Sequence, residues 1–295
     1  MSSSDLIGRF AFLIVGIFAA AAAVATSNDK AALEEKGGKT TLTVEGPRPV
    51  AKAVETLMQK YGSVITYEDP RYSYAEDLDD VTEQVRKDLD KYSPGKAPKV
   101  IVPAGGALSV TSSSGEVGDI LNQITQASEH GHFKVVRTGD VLHVVPTEVR
   151  DKNGNWIPQT SILDARISLP AQDRSAYQTI KAICQAVGAA AHAQVEYGAP
   201  IGGGLRAENG PPAAYRLEAN DEPARSVLMR AMAMIFPPGR KMTWELFYGS
   251  PQDPSYGLTV MDVGPPPRIL SPLSPLPPWS TKPATGGSPV DTSNR

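Results

Sequence analysis

One order of elements occurs twice in this 295-residue chain, and that repetition limits its fold more than any single motif does. Residues 107–145 and residues 213–263 each read as strand, amphipathic helix, strand, turn, strand. In the first copy, Val117, Ile120, Leu121 and Ile124 fall at helical spacing, and Ser113 with Glu116 has the form of a capping box. Two strands then follow as a hairpin around Thr138 and Gly139, with Val136 facing Val141. Phe133, Val135, Leu142 and Val144 share one face of that hairpin. His132, Lys134 and His143 share the other, which is expected to be wet. In the second copy, Val227, Leu228, Ala231, Met232 and Ile235 form the stripe, after Asn220 or Asp221 as cap and Pro223 in the first turn. Strands are expected at residues 242–248 and 256–263.

The intervening segments continue this grammar. Residues 40–45 and 63–67 read as strands around a helix whose stripe is Val50, Ala53, Val54, Leu57, Met58 and Tyr61, stopped by Gly62. A charged helix is expected over residues 76–90, and short strands over 99–103 and 107–111. Residues 161–169 read as a strand, 173–187 as a helix and 192–197 as a strand. The fold class is therefore α+β: repeated small units, each with one or two helices packed on small mixed or antiparallel sheets. The expected layout is a targeting segment at 1–25, a linker at 26–38, a domain at 39–147, a linker at 148–159, a second domain at 160–263 and a proline-rich tail at 264–295.

The N-terminus carries the targeting information. Arg9 precedes an apolar run from Phe10 to Ala25, and Ala23-Val24-Ala25 has the form of a signal-peptidase site with cleavage after Ala25. The alternative reading is an uncleaved anchor, which would be the only membrane contact. Both readings place the rest of the chain in the periplasm or outside the cell. Cys184 is the sole cysteine, so no intramolecular disulfide forms, and its spacing places it on a helix core face. The net charge of -3, without a dense basic patch, argues against nucleic acid as a partner.

Val117-Gly118-Asp119-Ile120-Leu121-Asn122-Gln123-Ile124 with Val141-Leu142-His143-Val144-Val145-Pro146 resembles the small periplasmic modules at the N-termini of secretins and TonB-dependent receptors. Pro223-Ala224-Arg225-Ser226-Val227-Leu228 with Tyr256-Gly257-Leu258-Thr259-Val260-Met261 is similar to the same modules, as, more loosely, is Pro49–Val54 with Val64–Tyr67. The pattern is similar, too, to that of uncharacterised exported bacterial proteins. The resemblance implies an envelope setting and protein–protein docking. It implies no catalytic residue.

The residues that could carry chemistry form no signature. His130, His132 and His143, with Glu129, are the metal candidates, since a site needs three or four convergent ligands; the competing reading is polar surface. Gly202-Gly203-Gly204 lacks the Lys-Ser/Thr of a phosphate loop. The acids between Asp77 and Asp90 alternate with Arg86, Lys87 and Lys91, as on a solvated face. In the tail, Leu276 and Trp279 are candidate docking anchors in an extended proline-rich segment. No cofactor is expected. The expectation is an exported, non-enzymatic protein that binds envelope partners. The alternatives are an exported hydrolase with a site near residues 198–212 and His192, and a self-assembling structural subunit.

Overall fold

A computed structural model of the chain describes residues 30–86, 88–93, 95–97, 99–198, 214–251 and 254–264. The segment expected to carry targeting, with its Ala25 cleavage point, the glycine run of 202–204 and the candidate anchors Leu276 and Trp279 lie outside those residues.

The chain opens with β1 (Lys30–Lys36), β2 (Lys39–Pro47), α1 (Pro49–Tyr61) and β3 (Val64–Glu68). The short elements β4 (Leu78–Asp80), α2 (Thr82–Val85) and β5 (Ile101–Pro103) follow. Next come β6 (Gly105–Ser112), α3 (Val117–Ala127), β7 (His132–Thr138), β8 (Val141–Arg150) and β9 (Trp156–Pro158). The second half runs β10 (Arg166–Arg174), α4 (Ala176–Ala191), β11 (Gln194–Tyr197), β12 (Tyr215–Pro223), α5 (Ala224–Ile235), β13 (Met242–Tyr248) and β14 (Ser255–Asp262). The class is α+β, as expected.

The repeat is longer than the sequence suggested. It comprises seven elements, β2-α1-β3-β6-α3-β7-β8 in the first unit and β10-α4-β11-β12-α5-β13-β14 in the second. Pairing matches throughout: β2·β6 and β10·β12 are antiparallel, β3·β8 and β11·β14 parallel, β7·β8 and β13·β14 antiparallel. Core residues match as well. Val50, Ala53, Val54 and Leu57 of α1 correspond to Ile180, Ile183, Cys184 and Val187 of α4, all buried. Ile120, Leu121 and Ile124 of α3 correspond to Val227, Leu228 and Ala231 of α5. Each pair of helices lies between its antiparallel strand pair and its three-stranded mixed sheet, which buries both faces of the helices.

The two three-stranded sheets are one sheet. β13 pairs with β3 in parallel, giving the order β11-β14-β13-β3-β8-β7, with β9 beside the far end of β8. The domains expected at 39–147 and 160–263 therefore keep separate apolar clusters but share a sheet across the expected boundary. Glu245 lies opposite Tyr67, and Leu246 opposite Glu68. Tyr67 points into the first cluster and Leu246 into the second, so the two helix pairs cover opposite faces.

Several local expectations are corrected. Residues 76–90 form turns of 3-10 helix, β4 and the four-residue α2 rather than one helix, since four apolar residues among so many acids give little to bury. The N-cap of α3 is Glu116, whose amide donates to Ser114 Oγ; Ser113 forms no capping box. The β7–β8 turn is Gly139-Asp140, so Val136 faces His143 and Thr138 faces Val141. Lys30–Lys36, expected as linker, is a strand held by β2.

Candidate docking edges and the joint between units

The joint between the two units shows what this chain does with a free strand edge. Only two opposed pairs make the β3–β13 ladder, extended by the Asp69 amide donating to Leu246 O at 2.8 Å. Side chains supply the rest. Arg48 takes a left-handed conformation (φ 53) at the start of α1. From there its Nε donates to Asp69 Oδ2 at 2.8 Å, and a terminal nitrogen donates to Tyr248 O at 2.9 Å. Tyr67 hydroxyl and the Tyr248 amide also donate to Asp69, at 2.8 and 2.9 Å. Arg48 lies over the Phe247 ring at 4.8 Å, and Phe247 packs on Tyr67 with ring centres 6.1 Å apart.

A second knot joins the units from the other side. Arg225, at the start of α5, pairs with Glu68 and reaches Asp164 at 2.9 Å. Ser161 donates to Glu68 and accepts from Arg225 at 3.1 Å. Thr243 hydroxyl donates to Ile65 O, and Lys241 Nζ donates to Gly62 O at 2.7 Å. Burial pushes the Glu68 and Asp69 carboxyls up from their ordinary values, opposed chiefly by Arg225 and Arg48. Burial acts to lower both arginines, but their carboxylate partners outweigh it and raise them. Glu245 is pushed well above the carboxylate range by burial, then by Glu55 and Asp69, and its Oε1 has no partner among the described residues.

The metal candidates go to three different places. His130 Nδ1 is 2.9 Å from Asp77 Oδ1, beside Arg150. His132 Nδ1 is 2.6 Å from Glu148 Oε2, and its ring stacks on Trp156 at 3.9 Å. His143 is fully buried, its Nδ1 2.8 Å from Thr66 Oγ1, so the hairpin face expected to be wet is covered at that point. Burial, and then Arg225, push its pKa down to about 4. Among the described residues no cluster of three or more His, Cys, Asp or Glu could hold a metal. His192 is the left-handed C-cap of α4, at the place Gly62 holds after α1. Cys184 is buried and its thiol is pushed up to about 12 by burial, which fits an inert core residue.

Two edges of the large sheet carry no further strand among the described residues: β7 at one end and β11 at the other. β7 presents Lys134 and Arg137, and its Val136 is 36% exposed. β11 presents Glu196, and Tyr177 stands 45% exposed beside Tyr197, ring centres 5.6 Å apart. Sequence reasoning found the hairpin but missed that its outer strand is an open edge. It also missed Arg48, Glu68, Asp69 and Arg225 altogether. No local signal marks those four: Arg225 and Glu68 are 157 residues apart. No helix among the described residues is long and apolar enough to cross a membrane. Compared with protein-family models, curated proteins and solved structures, the chain matches none.

Proposed function

We propose that this chain is an exported, non-enzymatic protein–protein interaction module of the cell envelope, which takes partners by strand addition at β7 and β11. The observation that carries the reading is the β3–β13 joint: one unit already completes its sheet with an edge strand of the other, and equivalent edges lie open at both ends among the described residues. An open edge presents unpaired amides and carbonyls that another strand can satisfy. The order β6-α3-β7-β8, repeated as β12-α5-β13-β14, supports the likeness to the periplasmic modules of secretins and TonB-dependent receptors. The Phe10–Ala25 run, ending in Ala23-Val24-Ala25 with cleavage after Ala25, supports export.

His130, His132 and His143 support binding over chemistry, because each is held by its own neighbour rather than turned toward a shared point. The test is capture of envelope proteins by the full chain, followed by amide exchange with the captured partner bound. Slowed exchange confined to β7 or β11, and loss of the partner in a Val136→Glu chain, is the expected result. Turnover of a defined substrate by a chain that captures nothing would end this reading.

A further inference from the structure

We propose that the occupant of the open edges is a second copy of this chain, joined head to tail, with β7 of one copy lying parallel to β11 of the next. This rests on the strand-docking reading above and names its partner. The internal joint is the template. β13 occupies in the second unit the place that β7 occupies in the first, and β3 the place that β11 occupies. Thus β3–β13 is already a β11-type edge against a β7-type edge, and among the described residues one edge of each type is left over.

The directions agree. β13 runs with β3, β3 with β8, and β7 against β8; β14 runs against β13, and β11 with β14. β7 and β11 of one chain therefore point the same way. A copy shifted along the sheet by six strands, without being turned over, sets its β11 parallel to β7. That shift is roughly 29 Å at about 4.8 Å per strand. Each joint leaves a new pair of free ends, so the contact is heterologous and propagates.

The side chains agree as well. Phe133, Val135 and Arg137 of β7 stand where Trp244, Leu246 and Tyr248 stand in β13, and Val195 and Tyr197 of β11 stand where Ile65 and Tyr67 stand in β3. The internal pairs Glu245–Tyr67 and Leu246–Glu68 then become Lys134 beside Tyr197 and Val135 beside Gly198 of the next copy. Exposed Val136 takes the position of Phe247, which packs on Tyr67. The Tyr197 hydroxyl, buried and without a partner among the described residues, takes that of the Tyr67 hydroxyl, which has Asp69. Charge also fits: β7 carries His132, Lys134 and Arg137 and no acid, while β11 carries Glu196 and no base. Like charge on both edges would have opposed the contact.

The experiment uses the full chain, with sedimentation velocity over a range of concentrations. Wild type is expected to form a concentration-dependent series of dimers, trimers and longer species. A chain with Lys134→Glu and Val136→Glu, and a chain with Tyr197→Pro, are each expected to stay monomeric. Mixed, they form a dimer that grows no further, since one intact β7 meets one intact β11. Thermal unfolding of each variant near that of wild type shows that it is folded. A chain carrying both Lys134→Cys and Tyr197→Cys gives a test that needs no disruptive change. A short bis-maleimide is expected to convert it to a ladder of covalent oligomers, with buried Cys184 unreactive. No ladder, or a closed dimer from either edge variant alone, overturns the proposal. A wild type that stays monomeric, yet protects β7 or β11 when a captured foreign protein is bound, also overturns it while strand docking stands. A monomer that captures nothing overturns both.

Discussion

The two units use the same frame, and they differ most where one of them is finished by its neighbour. In the first unit the strand after the first helix, β3, is covered by β13, and its Tyr67 hydroxyl meets Asp69. In the second unit the corresponding strand is β11, and the corresponding Tyr197 hydroxyl has no partner among the described residues. The first unit closes its helix with Gly62 at φ 62; the second uses His192 at φ 51, where a residue with a side chain is strained. Arg225 at the head of α5 ties Glu68 across the joint, whereas Gly118 stands at that place in α3, beside Arg137 of the open edge. The difference teaches that a common core sets the fold, while the residues bordering an edge decide whether that edge is closed.

The largest expected effect breaks the closed edge. Arg225→Met leaves Glu68, 1% exposed, without its cation in the interior. Breaking one partner of a buried pair costs about 3–5 kcal/mol. A urea or thermal midpoint measures this, and Arg137→Met at the open edge is expected to change stability by no more than about 0.5 kcal/mol. Equal losses in both would mean that the joint is no more closed than the free edge.

Next in size is a pH effect that only the first unit can show. His143 corresponds to Gly257, so the second unit has no titrating group there. The ring's pKa is lowered from 6.5 to about 4, so the folded state binds a proton less readily than the unfolded state. Stability is therefore lost as pH falls through 6.5 toward 4, by roughly 3 kcal/mol at about 1.4 per unit. Glu68, Asp69 and Glu245 have the opposite sign: their raised values favour the folded state on acidification, an advantage lost as pH rises through those values. The difference between wild type and His143→Gln across this window isolates the histidine. Parallel curves would show that His143 is not desolvated in the folded chain.

Much of this fold was legible because its helices state themselves locally. The stripes over residues 49–61, 117–127, 176–191 and 224–235 recur every three or four residues. Strand positions 242–248 were legible for the same reason. Strand partners were not, because pairing is a long-range contact that periodicity does not encode. Lys30–Lys36 reads as a polar linker and becomes a strand only through β2. The candidate site was harder still. Glu68, Asp69, Arg48 and Arg225 have the composition of ordinary surface, and only the β3–β13 joint turns them inward. His130, His132 and His143 drew notice as a set by their spacing, and three separate neighbours hold them.

The smallest effect is the sharpest test of the comparison, because it removes one oxygen from each of two equivalent rings. Tyr67→Phe deprives buried Asp69 of a 2.8 Å donor while Arg48 and the Tyr248 amide remain. Loss of one hydrogen bond to a charged group costs about 1.5–3 kcal/mol, with the lower end expected where other donors persist. Tyr197→Phe removes a hydroxyl that has no partner among the described residues and whose pKa burial pushes up to about 12. Removing a buried polar group that has no partner is expected to be neutral or slightly stabilising in the isolated chain. Denaturant midpoints of the two variants should therefore move apart by at least ~1 kcal/mol. Equal destabilisation would place a partner on the Tyr197 hydroxyl within the single chain, and β11 would then be as closed as β3.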